Sequence, residues 1–158
     1  MIGTIAMAAT GALGAGLVGG LMTEIGPWYR ALRKPPWQPP DWLFGPAWTI
    51  ILGLAGWSFV LAWSNAANDG ARERVVLLFA ANLVFHLLWT PLFFRLKRPD
   101  WALVEVVFLW CSLVALVIGL APISALASWL LAPYLAWVSF AFALNLAVVK
   151  LNRPFGRN

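Results

Sequence analysis

WALVEVVFLWCSLVALVIGL, residues 101–120, holds one formally charged side chain, Glu105. Wound as an α-helix it is apolar around nearly its whole circumference, and it rises ~30 Å, about the thickness of a bilayer's hydrocarbon core. A helix on the surface of a water-soluble domain needs a polar face, and this stretch has none. It reads as a membrane span.

Four similar stretches accompany it. Together the expected spans cover residues of about 5–22, 46–65, 75–94, 101–120 and 124–150. The whole chain, 1–158, reads as a single all-α domain, a polytopic bundle of five transmembrane helices. Composition agrees: 62% of the 158 residues are hydrophobic and 11% are charged, against about 25% charged in soluble domains. The first span lacks the basic leader and clean small-residue cleavage site of a signal peptide, so it is expected to be a retained helix. Cys111 is the one cysteine and lies in an apolar run, which gives neither a disulfide framework nor a cysteine metal site.

The gaps between spans carry turn chemistry. Gly45-Pro46 puts a proline in the first turn of the second span. Asn68-Asp69-Gly70 is a turn before the third. Arg98-Pro99-Asp100 breaks the chain and offers a cap for the fourth. Ala121-Pro122, with Ser124 as a cap, separates the last two. Pro91 and Pro133 fall inside expected spans and should kink them.

The net charge of +5 is consistent with nucleic-acid binding in principle, but its placement points to membrane orientation. Arg30, Arg33, Lys34, Arg95, Lys97, Arg98, Lys150, Arg153 and Arg157 fall on one side of a five-span chain, and Arg72 and Arg74 on the other. That bias predicts a cytoplasmic C-terminus and an N-terminus outside the cytoplasm. In the first span Ala8, Ala12, Gly16 and Gly20 recur at intervals of four, with Ala15 and Gly19 beside them. Such a ladder permits close helix approach, within one bundle or across a dimer seam.

Polar residues are few enough to weigh singly. Asn82, His86, Trp89 and Phe93 share one helical face of the third span, which should point inward because Asn and His are costly against lipid. His86 has three open roles: a ligand contact, an iron ligand, or a hydrogen bond to a neighbouring helix. Tyr134, Trp137, Ala141 and Leu144 follow one face of the fifth span, large rings beside small alanines, with Asn145 adjacent. They suit a cavity wall or ordinary packing. Glu105 lies about one turn from the basic loop, and neutralisation by Arg95, Lys97 or Arg98 is the expected role. The chain has no HExxH, GxSxG, phosphate-binding loop or Cys/His cluster. What it has is aromatic: 11 Trp and 10 Phe. Trp42, Trp63, Trp101 and Trp129 stand near span ends, where indoles form interfacial belts. Trp48, Trp89 and Trp137 lie deeper, and rigid indole walls suit a flat, polycyclic, apolar ligand.

The first loop, about residues 26–42, is the oddest segment. WYRALRKPPWQPPDW, residues 28–42, combines aromatic rings, prolines and cations. It reads either as a stiff lid over the bundle mouth, with Trp28, Tyr29 and Trp37 as cover and Arg30, Arg33 and Lys34 meeting ligand anions, or as a membrane-anchoring belt.

Five motifs carry a family resemblance: WY-x-x-L-x-K-P-x-W-x-P-P in this loop, G-P-x-W opening the second span, W-T-P-x-F-F in the third, W-A-L-V-E in the fourth, and P-Y-L-A-W…L-N in the fifth. In this order they resemble the tryptophan-rich sensory protein/translocator protein family (TspO/MBR, the peripheral benzodiazepine receptor family) over about residues 26–152. The resemblance implies a homodimeric five-helix membrane bundle that needs no cofactor or metal. It implies binding of protoporphyrin IX, haem and related tetrapyrroles, of sterol or lipid in some members, and of synthetic benzodiazepine or isoquinoline ligands, with no nucleic-acid partner. The matching pocket positions are Tyr29, Trp48, Asn82, Trp89, Trp137, Ala141 and Leu144, with the first loop as lid. His86, where many members have Asn, joins them on the face it shares with Asn82.

The implied role is sensing or regulating tetrapyrroles. Alternatives are light-dependent porphyrin degradation, with Trp48 and Trp137 as the candidate catalytic residues, and passive transport. Both the inner and the outer bacterial membrane remain open. Leu146 stands where the family's sterol motif wants an aromatic residue before Lys150, so tight sterol binding is not expected.

Overall fold

The computed structural model describes residues 2–156, and Arg157 of the tail lies outside them. Those residues form α1 (Ile2–Met22), α2 (Pro27–Ala31), α3 (Phe44–Asn65), α4 (Asp69–Thr90), α5 (Pro99–Leu120), α6 (Ala125–Trp129) and α7 (Ala132–Asn152). A 3₁₀ turn, Asp41–Leu43, leads into α3, and a π-type turn, Pro91–Arg95, extends α4. Five helical stretches are long and apolar enough to cross a membrane.

Helix α5 is the hub. Val106, Leu109, Leu113, Leu116 and Leu120 are all buried, spaced alternately three and four apart as in a coiled-coil seam. A third of its span, 33%, is enclosed by protein, against 6% for α1. Its two broad contacts are with α4 and α7, while α1 packs mainly on α3. The circuit α1–α4–α5–α7–α3 is therefore tight at three seams and thin at two, α1–α4 and α3–α7. Since lipid is as apolar as leucine, close fit and interhelical hydrogen bonds hold these seams rather than escape from water. Gly56 of α3 shows the fit: a Cβ built there would lie 3.6 Å from the Ala8 carbonyl oxygen and 3.7 Å from the Ala12 side chain. Part of the small-residue ladder on α1 thus serves packing within the bundle.

Turn chemistry sets the helix ends. Asn68 caps α4 by accepting from the Ala71 N–H at 2.9 Å, and Ser124 caps α6 by accepting from the Ala127 N–H at 3.3 Å. Asp100 does not cap α5. It sits inside the first turn, ion-paired with Arg98, while Pro99 opens the helix without side-chain capping. Pro91 produces a wider turn, in which the Leu96 N–H closes onto the Pro91 carbonyl at 2.9 Å. Lys97 then adopts φ +53° and the Arg98 N–H reaches back to the Leu92 carbonyl at 3.1 Å, one residue wider than the six-to-one closure of an α-helix end, as the π-type turn requires.

The last stretch is not one kinked span. It divides into α6 and α7, and Pro133 lies in the first turn of α7, where the missing N–H leaves no helical carbonyl unpaired. Serines hold the short α6 in place. Fully buried Ser58 of α3 donates to the Ala127 carbonyl at 2.7 Å, and Ser128 donates to the Val117 carbonyl at 2.8 Å. Removing one such donor inside a bilayer costs about 1 kcal/mol. Ser58→Ala is therefore expected to lower the thermal midpoint in detergent by a few degrees, whereas Ser64→Ala, at an exposed position of the same helix, should leave it unchanged. Equal midpoints for the two variants would mean that the α3–α6 bond contributes nothing.

Candidate ligand-binding site

The first loop folds over one end of the bundle and is tied down at both halves. Tyr29 on α2 is buried; its hydroxyl donates to Asp41 Oδ1 at 2.9 Å and accepts from Gln38 Nε2 at 3.2 Å. Lys34 Nζ lies 3.7 Å from the centre of the Tyr29 ring, a cation–π contact. Farther along, Asn152 at the end of α7 exchanges two hydrogen bonds with the backbone of Arg33, accepting from its N–H and donating to its carbonyl, each at 2.8 Å. The prolines limit the loop's freedom, and these bonds choose among the shapes that remain. Arg30 and Arg33 are exposed and Lys34 is half-buried. Trp28 meets Phe93 edge-on at 6.1 Å, and Trp37, half exposed, meets Phe140 at 5.8 Å.

Below the loop the aromatic side chains turn inward as two groups. In the first, Trp48 of α3 presses its ring against His86 (4.9 Å between centroids), Tyr134 (5.9 Å) and Trp137 (6.3 Å). The Tyr134 hydroxyl and His86 Nδ1 are hydrogen-bonded at 3.0 Å, joining α7 to α4. Trp137 leans on Phe44 and Phe140. In the second group Trp89 stacks on Phe93 at 5.0 Å, beside Phe94 and Tyr29. Asn82 is buried on α4 and donates to Ser112 Oγ of α5 at 3.1 Å.

A cavity of about 260 Å³ adjoins the first group. Met7, Gly11, Leu52, Phe59 and Phe79 contribute apolar wall, and Asn82, His86 and Tyr134 supply polar groups. Of the positions expected from sequence, only Asn82 and His86 touch it. Trp48, Trp89, Trp137, Ala141 and Leu144 do not line it, and Tyr29 borders instead a smaller hollow of about 180 Å³ under the loop, with Trp28, Phe94, Glu24 and Lys97. The wall from α1 was not foreseen. Its one signal was the run of small residues around Gly11, which admits packing and cavity equally. Met7 and Val76, at the rim, are also exposed on the outer surface.

Glu105 departs from expectation. It is 7% exposed, both carboxyl oxygens are buried without a hydrogen-bond partner, and among the described residues no cation pairs with it. Arg98 instead bonds Asp100, Nε to Oδ1 at 2.8 Å, and lies over the Trp101 ring at 4.3 Å. Arg95 and Lys97 are exposed. The basic residues stay at the membrane edge, where water solvates them, while Glu105 belongs to the buried face of α5.

Comparison with known proteins gives a consistent result. The TspO/MBR family model matches residues 6–151. The tryptophan-rich protein TspO of Chlorobaculum tepidum is 40% identical over 125 residues, 79% of this chain and 79% of that protein. The tryptophan-rich protein TspO of Archaeoglobus fulgidus is 39% identical over 143 residues, covering 89% and 91%. The translocator protein of Homo sapiens is 34% identical over 126 residues, covering 79% and 75%.

Two measurements test the tethered loop. Burial, reinforced by the Asp41 carboxylate, pushes the Tyr29 phenol from 10.0 up to about 12. A raised phenol stabilises the closed loop below pH 10 and loses that contribution as pH climbs toward 12. The phenolate absorbance difference between the parent and Tyr29→Phe should therefore be centred near pH 12; a difference centred near pH 10 would contradict the burial. Separately, Asn152→Ala should speed amide exchange at Arg33 and proteolysis within residues 32–38, with no change in α5. Unaltered exchange at Arg33 would mean that the two bonds do not hold the loop.

Proposed function

The chain belongs to the TspO/MBR family of membrane sensory and translocator-type proteins, and from that premise we propose that it binds tetrapyrroles such as protoporphyrin IX inside its helix bundle and senses or regulates their level. The observation that carries this reading is the inward convergence of His86, Tyr134 and Trp137 around Trp48, beneath a basic loop. Indole and phenol rings offer faces and edges to a flat macrocycle. Arg30, Arg33 and Lys34 on the covering loop suit its propionates, which gain more from cations at the membrane edge than from apolar walls. The same bias of cations supports a cytoplasmic position for the loop.

A volume of 260 Å³ is just below the ~300–1,000 Å³ common for ligand sites. Admission of a macrocycle therefore requires the Trp48–Trp137 edge contact to part. That contact lies on the thin α3–α7 seam, the one with least to lose by opening. Sterols and synthetic apolar ligands are further candidates for the same space, and a homodimer is the proposed assembly.

Titrating the purified protein with protoporphyrin IX should quench tryptophan fluorescence saturably. Loss of two indole contacts is worth roughly ten-fold in affinity, so the double variant Trp48→Phe, Trp137→Phe should bind correspondingly more weakly. Binding at unchanged affinity in that variant would put the pocket elsewhere, and absence of saturable quenching in the parent protein would remove the tetrapyrrole reading.

A further inference from the structure

Two polar side chains of α4, Asn82 and His86, line the cavity of about 260 Å³, and each has one hydrogen-bonding atom to spare. Asn82 is 5% exposed. Ser112 donates its hydrogen to the Leu109 carbonyl at 2.8 Å, so its oxygen accepts from Asn82 Nδ2 at 3.1 Å. That bond fixes which way the amide turns and leaves Oδ1 without a partner among the described residues. His86 is oriented in the same manner from α7. Among the described residues the Tyr134 hydroxyl has no other acceptor, so it donates to His86 Nδ1 at 3.0 Å. The hydrogen of the neutral imidazole is then on Nε2, which has no acceptor among the described residues. Neither Asn82 Oδ1 nor His86 Nε2 is sealed off by protein atoms.

The two atoms are complementary. Residues 82 and 86 stand one helical turn apart, so their side chains are neighbours on the cavity wall. Oδ1 is an acceptor and Nε2–H a donor. A hydroxyl oxygen accepts one hydrogen bond while its hydrogen makes another, so one hydroxyl can satisfy both. The rest of the wall is largely apolar, from Met7, Leu52, Phe59, Phe79 and Leu83, and no charged side chain lines it. An anionic head would enter without a counter-charge, which a bilayer interior penalises heavily. Size narrows the choice further. At ~30 Å³ for each water-sized group, about 260 Å³ holds roughly nine of them. A short alkyl chain fits that space, whereas a macrocycle or the fused rings of a sterol overfill the cavity as it stands.

We propose that this cavity is a binding site for a single-chain lipid ending in a hydroxyl, with His86 Nε2–H donating to the head oxygen and Asn82 Oδ1 accepting its hydrogen. The site is the cavity without any widening of the bundle, and it does not rest on the tetrapyrrole reading above. Tyr134 and Ser112 are positioning residues, since they set the imidazole and the amide without touching the head themselves. The alkyl chain lies against the apolar wall, and a longer tail can run out past Met7 and Val76 at the rim. A site built to hydrogen-bond a hydroxyl rejects the analogue that lacks it, because its own polar groups are then left unpaired.

The chain has one histidine, so isotopic labelling of histidine nitrogen gives a single imidazole to follow by NMR, with the protein in phosphatidylcholine nanodiscs. Added n-nonanol should move the Nε2–H signal downfield and saturably, and n-decane should not move it. Methyl octyl ether has the same number of heavy atoms and can accept from Nε2–H, but it has no hydrogen for Oδ1. It should bind about five-fold more weakly than n-nonanol, and ionised nonanoate more weakly than n-nonanol too. Asn82→Ala should bind alcohol and ether alike. Gly11→Leu keeps both polar groups: a Cβ built on Gly11 meets nothing within 4 Å, so the leucine takes up open space at the wall without displacing a neighbour. That variant should lose the n-nonanol response with its ligand-free thermal midpoint maintained. No shift with n-nonanol, an equal shift with n-decane, equal affinities for alcohol and ether in the parent, tighter binding of nonanoate, or an undiminished response in Gly11→Leu would each overturn the assignment. Should Asn82→Ala not fold, the alcohol–ether comparison in the parent protein decides the role of Oδ1.

Discussion

Inside a bilayer a polar group has no water to fall back on, so each one must find a partner within the protein or bear the cost of having none. This constraint organises the whole bundle. Ser58 and Ser128 hold a five-residue helix between two long ones. Asn145 enters the first turn of α5, Asn82 sets the register of α4 on α5, and Tyr134 and His86 join α7 to α4. The apolar seams supply fit, but leucine against leucine tolerates sliding and rotation. These few hydrogen bonds select one arrangement among many close ones, and Glu105 and Trp89 Nε1 are among the buried groups left out of the scheme.

The helical framework was legible because hydrocarbon imposes one length and one composition on anything that spans it. The inward face of α4 was legible too, since Asn82 and His86 are the kind of residues that avoid lipid. Local punctuation read well where a side chain caps its own helix, as Asn68 and Ser124 do. It read less well where the outcome depends on distant partners. The division between α6 and α7 needs the Ser58 and Ser128 bonds, which join residues far apart in sequence. Pro133 looks the same in a string of letters whether it kinks a helix or begins one.

Charge and space were the least legible. Proximity in sequence suggested that the loop cations would reach Glu105, but Arg98 has Asp100 two residues away and Trp101 beneath it, and burial at position 105 admits no long cationic chain from the membrane edge. The cavity wall from α1 was hidden because glycine and alanine mark close packing and open space with the same letters. Gly16, packed against Leu52, faces the first and Gly11 the second. Only the partner helix decides between them.

For a ligand of the proposed kind, the position of the cavity also sets the route of arrival. Met7 and Val76 belong both to its rim and to the outer face of the bundle, on the thin seam between α1 and α4. A compound dissolved among acyl chains meets this side opening directly, without passing the basic loop. Its relevant concentration is then molecules per lipid rather than molecules per litre. Membrane partitioning becomes the first step of capture, and diluting the same protein into more lipid weakens apparent binding with no change in any protein contact.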